Sequence, residues 1–225
     1  MQENREGTPA NETWHEDPAS IVSSIKSDQA TAMGSLSVDS SRLYASWGLA
    51  WNLGFLALFL ANFPLDQPVL PLVVAVVIAV SLWIVAVIFA AVHIRRRRSG
   101  AMGISALRGW VFGASFATAF AFVGALGSQL TELGVTPDAM LTYWVAASCL
   151  IISIFYALGS VLWNDRSHLI FASWTAVIGF ASIFVPAPWS LICGVVGGIG
   201  FLLLAFLTMW RPHVFSGTIL EERDE

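Results

Sequence analysis

Charge is scarce in this sequence. Only 12% of its 225 residues are charged and 56% are hydrophobic, whereas an ordinary soluble domain is about a quarter charged. A water-soluble fold of this size has no interior large enough to hide so much apolar surface, so the excess must face lipid. Cysteine is scarce too. Cys149 and Cys193 both lie in apolar runs, with neither a CxxC spacing nor a histidine at ligand spacing, so both read as small hydrophobes rather than metal ligands. Several motifs are missing: the Gly-rich Lys phosphate loop, HExxH, and GxSxG in a sensible context. No cofactor and no nucleic-acid partner is expected. The first forty residues are polar and contain no apolar leader segment, so the N-terminus is expected to be retained.

What is present is a series of apolar runs. Six segments stand out, at Tyr44–Ala61, Val69–Ile94, Gly109–Gly127, Met140–Trp163, Leu169–Val185 and Trp189–Trp210. A spanning helix needs roughly 20 residues, with a range near 17–25. The second segment is valine-rich, which in water suggests a strand, but its length decides for a helix. In lipid only helices and closed barrels satisfy their own backbone. Pro186-Ala187-Pro188 separates the last two segments and favours a tight turn. The expected fold is an all-α integral membrane protein, a bundle of six transmembrane helices. Phe-xxx-Phe recurs in the three odd-numbered segments, so three helical hairpins are one arrangement; with fifteen phenylalanines, chance accounts for the recurrence equally well. Three regions follow: a disordered acidic tail over 1–42, the membrane domain over 43–211, and a short tail over 212–225.

The few charges orient the bundle. Loops 63–68, 128–138 and 186–188 contain no Lys or Arg, and all eleven basic residues fall in the other set of connections and tails. Arg95, Arg96, Arg97 and Arg98 form the densest run, followed by Arg108. The positive-inside rule then places both termini and the arginine run in the cytoplasm, in a multi-pass protein of the cell (inner) membrane. The run serves as topology anchor. It also suits anionic lipid headgroups or an acidic partner protein. Trp47, Trp110, Trp163 and Trp210 at one set of ends, with Trp144 and Trp189 at the other, form the expected aromatic belts.

Two patterns lie inside the segments. Gly109, Gly113, Ala117 and Ala121 recur every four residues, and Gly194 and Gly198 do the same in the last segment. Small residues at this spacing let backbones approach closely, so both faces are read as packing against a neighbouring helix, with a dimer interface as the alternative. Thr142, Cys149, Ser153, Tyr156 and Ser160 fall within an arc of about 60° at helical spacing, and Asn52 lies at a similar depth in the first segment. They are read as interhelical hydrogen bonding, or as the lining of a path for a neutral solute. No segment contains Asp, Glu, Lys or Arg. This argues against proton- or ion-coupled transporters, pumps and voltage sensors, which usually need one.

The leading expectation is a non-enzymatic component of a membrane complex, an accessory or permease-like subunit of a transport system, with other membrane proteins as partners. The alternative is a stand-alone transporter, substrate-binding membrane subunit or channel for a small neutral solute. A membrane enzyme is third, and requires Asp165, His93 and His168 to converge in space.

Overall fold

The computed structural model describes residues 20–24, 40–63, 68–97 and 104–211. The chain divides into two units, Met1–Ser37 and Val38–Glu225. In the first, residues 20–24 are helical, with the hydroxyls of Ser23 and Ser24 returned to the carbonyls of Ser20 and Ile21. The rest of the N-terminal tail, Arg98 and the C-terminal tail lie outside the described residues, and so do the sequence readings made for them.

Among the described residues the second unit has six helices: α1 Ser40–Ala61, α2 Leu72–Arg97, α3 Ile104–Glu132, α4 Pro137–Trp163, α5 Arg166–Ser182 and α6 Ser190–Trp210. No strand occurs among the described residues. Five of the helices are long and apolar enough to cross a membrane. The sixth is α5. Its 17 residues span about 26 Å at 1.5 Å per residue, short of the roughly 30 Å hydrocarbon core. The sequence placed this segment at Leu169–Val185, but the helix begins and ends three residues earlier. The reason is a cap. Asp165 is its N-cap and accepts from the Ser167 N–H at 2.8 Å, which starts the helix ahead of the apolar run. α4 is capped at both ends. Thr136 accepts from the Ala139 N–H, Pro137 takes the first turn, and Asn164 ends the helix at φ 50°, a conformation asparagine tolerates well.

The centre is formed by α1, α4, α5 and α6. The most extensive packings are α1 on α6 and α4 on α5; α2 leans on α1 and α3 on α4 at the flanks. Consecutive hairpins therefore exist, but the main seams run between them. Close approach in these seams depends on small residues, because helix association in lipid gains from packing rather than from leaving water. A Cβ on Gly194 would come within 2.6 Å of the Phe55 ring, and one on Gly198 within 2.6 Å of the Asn52 side-chain nitrogen. Around these contacts Tyr44, Trp51, Phe55, Phe171 and Phe201 fill the core, with the Phe171 and Phe201 rings 3.8 Å apart.

Candidate functional site: a polar clasp and a bare helix face

The α4–α5 turn carries the densest polar contacts of the unit. Asn164 in the left-handed conformation turns the chain, and Asp165 then caps α5. Its carboxylate collects three donors. The Ser167 N–H and O–H reach Oδ1 at 2.8 and 2.7 Å, and His168 Nδ1 reaches Oδ2 at 3.0 Å. The Ser167 hydroxyl has one proton, and Asp165 takes it. The Tyr44 hydroxyl, 2.7 Å from Ser167 Oγ, must therefore donate to that oxygen. Tyr44 thereby ties the start of α1 to the start of α5. The His168 ring stacks on Tyr156 of α4, with centroids 5.2 Å apart. Burial alone would push the Asp165 carboxyl up. The hydrogen bond and charge of His168, together with the two bonds from Ser167, outweigh it and hold the carboxyl below its ordinary range.

This is a clasp rather than a hydrolytic site. Ser167 is fully buried, its proton is committed to Asp165, and no hydrogen bond joins it to His168. Acyl transfer by a Ser–His pair needs the serine bonded to the imidazole. His93 does not join the group; it stacks on Phe89 within α2. The convergence of Asp165, His93 and His168 required for an enzyme is thus only partial, Asp165 with His168. Among the described residues no group of three His, Cys, Asp or Glu side chains could hold a metal ion. The sequence named Asp165 and His168 and missed Tyr44 and Ser167. Asp-x-Ser ahead of an apolar run was the available capping signal.

The interior polar residues keep largely to their own helices. The Asn52 amide donates to the Gly48 carbonyl at 2.8 Å, and the Ser160 hydroxyl to the Ala157 carbonyl at 2.7 Å. Cys149 is buried against Gly179 of α5. Thr142 and Ser153 are half-buried. No hydrogen bond links Asn52 to the α4 stripe among the described residues. Two open grooves mark the outer surface, one between α1 and α2 around Leu56 and Val77, the other between α3 and α4 around Ala114 and Thr118. Both are apolar, and neither is lined by Asn52 or by any residue of the stripe.

The small-residue faces separate into two kinds. Gly194 and Gly198 are buried in the α1–α6 seam. On α3, Gly109 is half-buried, while Gly113, Ala117 and Ala121 are exposed. A Cβ on Gly113 would meet nothing within 4 Å. Among the described residues, the packing inside the bundle expected of this stripe is therefore not found at Gly113, Ala117 and Ala121. The aromatic residues beside it make the contact with α4 instead: Phe112 meets Trp163 at 4.7 Å and Phe116 meets Phe155 at 5.1 Å. At about 100° per residue, Ala117 and Ala121 then point away from α4. Arg95 and Arg96 are exposed at the end of α2.

No known protein family, no curated protein and no solved structure matches this chain.

Proposed function

We propose that this chain is a six-span protein of the cell membrane, with both termini cytoplasmic, that works as a non-enzymatic subunit of a larger membrane assembly such as a transport system. The observation that carries the reading is the outward face of α3. Gly113, Ala117 and Ala121 present a strip of small residues, spaced by four, that no helix covers among the described residues. A lipid-facing helix gains nothing from such a strip. A transmembrane helix with a complementary small face gains close backbone contact. The partner class is accordingly an apolar transmembrane helix. The count of six rests on the separation of all eleven basic residues into one set of connections, which requires the short α5 to cross as well; a helix below the bilayer thickness does so by local thinning.

Purification from native membranes in mild detergent tests this. A complex heavier than the 24.3 kDa protomer is expected. Leucine at Gly113, Ala117 and Ala121 together should release the partner and leave the fold intact. A protein that emerges alone and monomeric, or whose partner stays bound to the leucine variant, contradicts the reading.

A second reading, a path for a small neutral solute, draws support from the position of the polar stripe on the buried side of α4, where Cys149 and Ser160 are enclosed. Reconstituted uptake that falls in Asn52→Leu and Ser153→Ala variants would favour it, and unchanged flux in both would remove it.

A further inference from the structure

Among the described residues the two ends of the bundle carry opposite charge, and the clasp sharpens the difference. At the end where α1, α3 and α5 begin, Arg42, Arg95, Arg96, Arg108, Arg166 and Arg211 are all exposed. Asp165 is the one acidic group there among the described residues, and it is turned inward. Its side chain is only 17% exposed, and its oxygens are occupied by Ser167 and His168. At the opposite end Glu132 and Asp138 are exposed, without a basic residue among the described ones. The arginine end also carries an aromatic rim. Trp110 and Trp210 are largely exposed, and the Arg211 guanidinium lies 5.5 Å from the Trp210 ring centre. Exposed indoles sit at headgroup depth, so the guanidinium groups beside them lie at the level of lipid phosphates.

We infer that this rim binds anionic phospholipid headgroups, and that the clasp keeps the rim's only described carboxylate away from them. Guanidinium groups hold phosphodiester oxygens through paired N–H donors, and Arg does so better than Lys because its donors are fixed in a plane. The rim is spread over several helices: α2 contributes Arg95 and Arg96, α3 Arg108, α5 Arg166, and the end of α6 Arg211. The expected mode is therefore a selective shell of several lipids. The inference rests on the six-span reading only for which leaflet is engaged.

The test places the full chain in nanodiscs of phosphatidylcholine containing trace spin-labelled phosphatidylglycerol or spin-labelled phosphatidylcholine, and compares their immobilised fractions. Phosphatidylglycerol should be preferred roughly fivefold, the effect of about one well-placed basic residue. The preference should fall toward unity in an Arg95→Gln/Arg96→Gln/Arg108→Gln variant, and in 1 M salt, where screening acts within about 3 Å. Inorganic phosphate at matched ionic strength should leave it unchanged. Equal immobilisation of the two lipids, a preference untouched by the substitutions, or displacement by inorganic phosphate would each overturn the inference. The bilayer is symmetric, so a failure here indicts the rim. A failure of the orientation would show separately, as a reporter fused after Gly100 reading external.

Discussion

The two flanking helices place their small-residue stripes inside out relative to each other. On α2 the small residues face inward. Ala75, Ala79 and Ala86 are buried, while branched residues such as Val73 and Val77 stand 75% and 58% exposed. Ala79 meets Gly54 of α1, where a glycine Cβ would lie 3.5 Å away. On α3, Phe112 and Phe116 meet α4 and Gly113, Ala117 and Ala121 are exposed, alongside the bulky exposed Trp110 and Phe122. Both helices have about the same length and both flank the same core. α2 thus uses its small face within the chain and turns bulk outward. α3 leaves its small face exposed.

Leucine substitutions separate the two kinds of small face. The largest effect is expected on assembly: leucine at Gly113, Ala117 and Ala121 together should abolish co-purification of the partner, while thermal stability of the isolated chain stays within about 0.5 kcal/mol, as for a surface change. Leucine at Gly194, a small residue already used in a seam, should do the opposite. Its side chain would enter the Phe55 ring, and overpacking costs about 3 kcal/mol, read as a large loss of melting temperature in detergent. Ala79→Leu should cost about 2 kcal/mol for the same reason. If Ala79→Leu were neutral and Gly113→Leu destabilising, the inside-out comparison would be wrong.

Smaller effects are expected at the clasp. Tyr44→Phe removes one buried hydrogen bond to Ser167 and should cost about 1 kcal/mol. Asp165 sets a pH dependence. Its folded carboxyl is held below the ordinary value, so its contribution is fully present above the unfolded carboxylate value, about 3.9, and is lost as pH falls through the lower folded value. Melting temperature followed downward from pH 6 should drop, and Asp165→Asn should flatten that acid limb. An identical limb in the variant would assign the acid sensitivity to other groups.

Much of this architecture was legible in the sequence. The apolar runs located the helices within a few residues. They did so because a membrane span must be continuous in a way a soluble helix need not be. The start of α5 was misplaced because hydropathy tracks apolar residues and the helix is begun by polar ones, Asp165 and Ser167. The clasp was largely hidden, since Tyr44 and Ser167 are 123 positions apart and nothing local in either marks the pairing. The α3 stripe was visible as a pattern, but periodicity shows only that a face exists. Which side it turns to was decided by the neighbouring phenylalanines, whose larger contact area won the seam with α4. The Asn52 amide illustrates a further limit: it was expected to seek another helix and instead satisfies itself on its own, at Gly48.

The most direct test of the central claim is a photo-crosslinking residue placed at Ala121 on α3, compared with one at Val77 on α2, in native membranes. The account predicts a discrete protein adduct from Ala121 and none from Val77. Adducts absent at both positions, or equal at both, would contradict the assignment of α3 as the face by which this protein assembles.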